Sequence, residues 1–176
     1  MKRGKVLHGL YLFVAALWCG EMTFFAAGGA FTVLKLATTR HNAGTINRAL
    51  LDLIDLSSYA AVLVLLALLA LLGQSWPRLN RALSLRLLIV AVAATFASHL
   101  IITPEMMSLR NAMGAIIDLV PKTDPLRAEW GRLHGFSSMA LLLRILAAAG
   151  LFIFGFGPSV TAANLAETPK VEPLPT

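Results

Sequence analysis

The sequence predicts an all-α, polytopic membrane protein that forms a bundle of four transmembrane helices. Of its 176 residues 57% are hydrophobic and only 14% are charged, whereas a soluble domain is near a quarter charged. The mean hydropathy is +0.75, and the apolar residues lie in four blocks long enough to cross a bilayer. The net charge of +6 comes from basic residues beside these blocks. We therefore expect the basic residues to meet lipid headgroups and not nucleic acid.

Each apolar block predicts one helix. The first contains Glu21 and is far longer than the apolar region of a signal peptide, about 7–15 residues, so it is interpreted as a span. The last helix is expected to begin outside the apolar core, because Asp124 is a suitable N-cap and Pro125 suits the first helical position. The four predicted spans are about 6–34, 56–72, 87–107 and 135–156. They form one domain, 1–157, followed by a Pro- and Thr-rich tail, 158–176, predicted to be disordered.

An even number of spans places both termini on one side of the membrane. Basic residues lie close to the helix ends on that side, so the prediction is a multi-pass protein of the cell membrane with both termini in the cytoplasm. The expected partners are the lipid bilayer and other membrane subunits. Self-association is a further prediction, because Ala148 and Gly155 share a helix face that permits close contact.

The stretch from His99 to Arg110 ends the third span and carries several groups that lipid contact does not require. Ionisable groups at membrane depth are costly and usually face an interior or a cavity. At regular helical spacing His99, Thr103, Met106 and Arg110 share one face. Pro104 removes one backbone hydrogen bond and predicts a kink. The remaining helices are expected to shelter this face.

Two further ionisable residues, Glu21 and Arg144, are predicted near the middle third of the membrane. A buried charge is less costly when it is paired, so they are interpreted as an intramembrane ion pair between the first and last helices. The alternative is that Glu21 serves as a proton or cation site.

A polar pocket is predicted between the helices. Imidazole, thioether and carboxylate groups suit soft or borderline metals, above all copper, and no Cys or His motif of fixed metal-binding spacing accompanies them. Each residue has an alternative role in packing or helix–helix hydrogen bonding. Haem ligation by His8 and His99 is a weaker alternative, because the two are predicted at different depths. The candidate pocket or metal residues are His99, Glu105, Met106 and His134, with Thr103, Arg110, Ser137 and Ser138 as further lining residues.

Three stretches carry a resemblance to a known family. They are Ala16-Leu-Trp-Cys-Gly-Glu-Met-Thr-Phe-Phe-Ala-Ala, Pro104-Glu-Met-Met-Ser-Leu-Arg110 and Trp130-Gly-Arg-Leu-His-Gly-Phe-Ser-Ser138. Over about residues 10–155 the chain resembles the transmembrane-protein-205-like family, whose bacterial members are domains of unknown function. The resemblance implies a four-helix membrane protein, and the eukaryotic branch is linked to platinum-drug resistance. A more distant likeness, to copper-resistance D-type and haem-binding membrane families, rests on His8 and Trp18-Cys-Gly20.

Three functions therefore stay open. The first is binding or movement of a small solute or soft metal ion through the pocket. The second is a non-catalytic accessory subunit of a larger membrane complex, and the third is a haem-binding redox protein. The sequence contains no Ser/His/Asp set, P-loop or dinucleotide fingerprint, so we expect no enzyme and name no catalytic residue.

Overall fold

The computed structural model describes residues 2–73, 76–114 and 117–166, which form four long helices. Helix α1 has three parts: an α-helical segment, Lys2–Phe24, a π-helical turn, Phe25–Gly29, and a second α-helical segment, Ala30–Leu36. Helix α2 spans Arg40–Leu72. Helix α3 has the same three-part form, with Arg78–Phe96, the π-helical turn Ala97–Ile102 and Thr103–Ala112. Helix α4 spans Pro125–Ala166, after a short 3-10 turn at Ile117–Leu119.

All four helices are long and apolar enough to cross a membrane. Large apolar side chains such as Phe13, Leu63, Ile89 and Ile153 are exposed on their outer faces, where a bilayer would cover them. The predicted fold class, an all-α bundle of four membrane-spanning helices, is confirmed.

The helices are longer than the apolar runs because polar residues extend them. Helix α2 begins at Arg40, where the Thr39 side chain accepts a hydrogen bond from the backbone N–H of Asn42 at 3.1 Å. Asp124 accepts from the N–H of Leu126 at 2.8 Å, so helix α4 starts where the sequence predicted. Helix α4 continues to Ala166, past the expected end of the bundle. Residues 167–176 lie outside the described residues, and the disordered tail stays a prediction.

Consecutive helices pack side by side, and helix α4 returns to pack on helix α1. Each helix contributes a fully buried apolar side chain to one continuous core: Trp18, Leu65, Leu88 and Leu151. This up-and-down order places the residues of all four helices around a common interior.

The small-residue face of helix α4 points into this interior. Ala148 is fully buried, and a Cβ added at Gly155 would lie 2.9 Å from Leu12 Cδ2 and 3.0 Å from Tyr11 Cε1. The expectation of close helix contact is confirmed, but the neighbour is helix α1 of the same chain. Packing within the bundle covers the Ala148/Gly155 face, and self-association of the protein stays a prediction.

The proline of helix α3 follows a π-helical turn. The N–H of Thr103 donates to the carbonyl of Ser98, five residues earlier, and Pro104 then stands in the first turn of the resumed α-helix. Proline has no N–H to donate to the carbonyl four residues before it, so a wider turn at this point interrupts the regular pattern. A π-helical turn displaces the residues on either side relative to an uninterrupted α-helix.

Candidate functional site

The most deeply buried charge of the bundle is Arg144, whose side chain is 1% exposed. Its Nη1 donates to Asp55 Oδ1 at 2.6 Å, and its Nη2 donates to Ser58 Oγ at 2.6 Å and to the carbonyl of Ile54 at 3.3 Å. Ser58 also accepts from Trp18 Nε1 at 3.0 Å. Helices α1, α2 and α4 are thus joined by one buried hydrogen-bond network, and its central ion pair is Arg144–Asp55.

The predicted partner of Arg144 was a different carboxylate, Glu21. In the structure Glu21 is half-buried and accepts a hydrogen bond from the Ser57 hydroxyl, so the predicted Glu21–Arg144 pair is wrong. The reason lies in helix α2. Because it begins at Arg40, Asp55 lies about 22 Å along the helix at 1.5 Å per residue, whereas the apolar run alone had placed Asp55 in the connector before the second span.

His99 belongs to the outer side of the same network. Its Nδ1 lies 3.2 Å from Asp55 Oδ2, and its ring meets Tyr59 edge-on at 6.1 Å. Possible ligand atoms of Asp52, Asp55 and His99 lie within 4.8 Å of one another. Both carboxylates are already ion-paired, Asp52 with Arg48 and Asp55 with Arg144. The geometry therefore assigns His99 a hydrogen-bonding role beside the buried ion pair.

A cavity of about 420 Å³ lies between the helices, next to this network. All four helices line it, and its size falls within the usual range for small-molecule sites. Seven of the residues singled out from the sequence line it: Thr103, Met106, Arg110, His134, Ser137, Ser138 and Arg144. His99 and Glu105 are not among its lining residues. Of the four predicted pocket or metal residues, only Met106 and His134 therefore lie at the cavity.

The π-helical turn explains why His99 is separated from the cavity. In a regular α-helix His99 would share a face with Thr103, but the turn instead aligns Ser98 with Thr103 through an i to i+5 hydrogen bond. Ser98 and Thr103 accordingly both line the cavity. Glu105 is exposed, because it is adjacent in sequence to Met106 and so lies about 100° around the helix from it.

Three arginines line the cavity: Arg48, Arg110 and Arg144. Arg48 is ion-paired with Asp52 and also donates to the Thr103 hydroxyl. Arg110 contacts His41 Nδ1 at 2.9 Å and Thr45 Oγ1 at 3.3 Å. No aspartate or glutamate is among the described residues that line the cavity, but Arg48 and Arg144 are ion-paired with Asp52 and Asp55. Arg110 is therefore the cavity arginine whose charge has no carboxylate partner within the described part of the chain.

Two buried polar atoms at the cavity have no hydrogen-bond partner within the described part of the chain. They are Nε of Arg144 and Oδ1 of Asn47, and both residues line the cavity. Buried polar groups are nearly always hydrogen-bonded, and an unpaired one costs about 1–3 kcal/mol. These two lining residues therefore keep hydrogen-bonding capacity that the described part of the chain does not use.

Much of the cavity lining is apolar, and part of it reaches the bundle surface. Phe25, Leu51, Leu141 and Ile145 are among these apolar lining residues. The first segment of helix α1 packs on helix α4, but the segment after the π-helical turn packs on helix α2 instead. Ala26 on helix α1 and Ser138 and Leu142 on helix α4 are exposed lining residues along the resulting gap. We call this opening between helices α1 and α4 the lateral gap.

At the end of the cavity near the connectors, the ring of Trp130 stacks on His134 with centroids 5.3 Å apart and planes 4° from parallel. Both residues line the cavity, so Trp130 is placed to report on its occupancy.

Sequence reasoning missed Arg48, Asn47 and Ser98 as cavity residues and Asp55 as the buried counter-ion. The spacing Arg48–Asp52 is a signal for an i, i+4 ion pair on a helix, which would have extended helix α2 toward Arg40. Pro104 predicted an interruption of helix α3 but not its π-helical form, and the sequence carried no comparable signal for the π-helical turn of helix α1.

Comparison with known proteins gives one match. A family described as a domain of unknown function, DUF4149, matches residues 13–115, which takes in most of helix α1 and all of helices α2 and α3. No curated protein and no solved structure matches the chain. The family description assigns no activity, so the finer resemblances to the transmembrane-protein-205-like and copper-resistance D-type families stay predictions. The chain belongs to the DUF4149 family of domains of unknown function.

Proposed function

We propose that this membrane protein binds a small solute in the cavity between its four helices. The observation that carries the proposal is the pairing of a 420 Å³ cavity with two buried polar atoms, Arg144 Nε and Asn47 Oδ1, that lack partners among the described residues. A polar group buried without a partner is costly, and a bound molecule would supply the missing hydrogen bonds.

The soft-metal alternative, with His99, Met106 and His134 as ligands and Glu105 at the mouth, is less well supported. His99 is directed to Asp55, Glu105 is exposed, and Arg110, whose charge no described carboxylate compensates, would repel a cation. The haem alternative required His8 and His99 as axial ligands. His8 Nε2 instead lies 2.7 Å from the Gly155 carbonyl, so both rings already have protein partners.

Native mass spectrometry of the protein released from a neutral detergent tests the proposal. The unmodified protein is expected to retain a small molecule at a ratio of one to one. Ser138→Trp should abolish retention, because it places a large ring in the lateral gap. Met139→Trp is the matched control, since Met139 is the next residue on helix α4, is 56% exposed and does not line the cavity. Equal retention by both variants would contradict the proposal.

A further inference from the structure

We propose that the solute is an anionic amphiphile, with one negatively charged phosphate or carboxylate head and one apolar tail. The head would lie against the arginine wall formed by Arg48, Arg110 and Arg144, and the tail would lie along Phe25, Leu141 and Ile145 and leave through the lateral gap. This inference rests on the proposed function, which by itself does not specify the chemical class of the solute.

The charge of the head follows from the arginine wall. A guanidinium group binds carboxylate and phosphate through charge-assisted hydrogen bonds. Among the described residues Arg110 hydrogen-bonds to His41 and Thr45, and no carboxylate there compensates its charge. Arg144 lines the same cavity, and its Nε has no hydrogen-bond partner among the described residues. A negatively charged head would balance the charge of Arg110 and offer hydrogen-bond acceptors to the guanidinium groups of the wall.

A second, polar cavity adjoins the first, so a head bound at the arginines would keep part of its hydration. It has a volume of about 290 Å³ and shares Arg48, Met107 and Arg110 with the first cavity. Its other lining residues, His41, Thr45 and Asn111, lie near the helix ends and are polar. The two arginines therefore stand between a polar space at the helix ends and a largely apolar space inside the bundle. An amphiphile with its head in the polar space and its tail in the apolar space would have the junction of head and tail beside these two arginines.

The tail follows from the apolar lining of the cavity and from the lateral gap. Burying a methylene group on an apolar wall contributes about 0.8 kcal/mol, which a free inorganic anion cannot gain. The gap lies between two helices whose outer faces carry exposed apolar residues such as Phe24 and Met139. A molecule that enters from the hydrocarbon region therefore reaches the cavity without crossing a polar surface.

Titration of the purified protein with three twelve-carbon probes tests the inference. Dodecyl phosphate, dodecanol and dodecyltrimethylammonium share one tail and differ in head charge, and inorganic phosphate supplies the head alone. The readout is the fluorescence of Trp130 in neutral-detergent micelles, with Trp130→Phe defining the background from the other tryptophans. Arg110→Gln removes a cavity charge. Arg86→Gln is its matched control, because Arg86 is an exposed arginine near the opposite end of helix α3.

Dodecyl phosphate is expected to bind most tightly, and its apparent Kd should rise about tenfold in Arg110→Gln, as expected for loss of a hydrogen bond between charged groups. It should stay unchanged in Arg86→Gln. Equal binding of dodecanol would overturn the anionic head while leaving solute binding in place. Equal binding of inorganic phosphate would overturn the apolar tail. If no probe changes the Trp130 signal, the inference fails, whereas the proposed function is decided separately by the retention of a small molecule in native mass spectrometry.

Discussion

The buried Arg144 sets the strongest energetic constraint at the scale of single residues. Its guanidinium is removed from water and is matched by Asp55, Ser58 and the Ile54 carbonyl. Such a pair adds little net stability over apolar packing, but the loss of one partner leaves an uncompensated buried charge. Asp55 should therefore be far less tolerant of substitution than Glu21, although the two carboxylates lie in the same bundle.

Asp55→Asn should destabilise the protein by about 3–5 kcal/mol, because Arg144 then keeps a buried charge without a counter-charge. Glu21→Gln should cost much less, since Glu21 is half-buried and accepts from a neutral hydroxyl. Thermal unfolding in a neutral detergent measures both. The double change Asp55→Asn with Arg144→Gln should recover much of the loss. Equal losses from the two single carboxylate changes would show that Asp55 is not the essential partner.

Ser58 is the second residue that the network depends on. It accepts hydrogen bonds from both Trp18 and Arg144, so Ser58→Ala leaves two buried donors short of an acceptor. The expected cost is about 1–3 kcal/mol for each unsatisfied group. Ser57→Ala is the matched neighbour, because Ser57 donates to Glu21 and to a backbone carbonyl. Unfolding temperatures that fall equally for the two variants would contradict this role for Ser58.

At the scale of helices, the number and type of elements could be predicted from the sequence, but their faces could be predicted only in part. The four apolar blocks were sufficient to predict four membrane-spanning helices, and Asp124 correctly marked the start of helix α4. The face of helix α3 was mispredicted at His99, because the π-helical turn Ala97–Ile102 shifts that residue away from Thr103. Thr103, Met106 and Arg110 follow the turn, so their predicted common face was correct.

The partner of a buried charge could not be predicted from depth alone. The predicted depths of Glu21 and Arg144 in the membrane agreed within the uncertainty in where each helix ends. Whether two side chains hydrogen-bond also depends on the rotation of each helix about its axis. Asp55 directs its carboxylate at Arg144 because Ile54, Asp55 and Ser58 occupy the inner face of helix α2. That rotation is fixed by the packing of the whole core around Trp18, Leu65 and Leu151.

Close packing between helices α1 and α4 gives a prediction at this scale. Gly155→Ala should destabilise the bundle by about 1–3 kcal/mol, because the added methyl meets Leu12 and Tyr11 at about 3 Å. Gly135→Ala on the same helix is the control, since a Cβ there meets nothing within 4 Å. Thermal unfolding compares the two, and size-exclusion chromatography checks the oligomeric state. A change of oligomeric state without a loss of stability would contradict this packing role and favour self-association through this face.

At the scale of the whole molecule, orientation is the property that remains a prediction. We expect both termini in the cytoplasm, because basic residues cluster beside the helix ends on that side. A reporter active only outside the cytoplasm should be inactive when fused after Thr176 and active when inserted near Thr123. The opposite pattern would reverse the orientation without changing the number of helices.

The two ends of the bundle differ in a way that suits a binding protein. Near the connectors that follow helices α1 and α3, polar and cationic groups surround two cavities. Toward the other end, Tyr11, Leu69, Leu72 and Trp76 are buried against one another and their neighbours. The described residues therefore form a closed base and a cavity that opens laterally. This arrangement fits reversible binding of a molecule from the bilayer better than passage through the bundle.

Fluorescence quenching in bilayers tests most directly whether the cavity admits a molecule through the lateral gap. The protein is reconstituted in nanodiscs whose lipids carry bromine on the acyl chains, and the contribution of Trp130 is the difference between the unmodified protein and Trp130→Phe. We predict that this contribution is quenched in the unmodified protein and in Met139→Phe, and that Ser138→Phe loses most of the quenching. Quenching that is equal in Ser138→Phe and Met139→Phe would contradict entry through the gap.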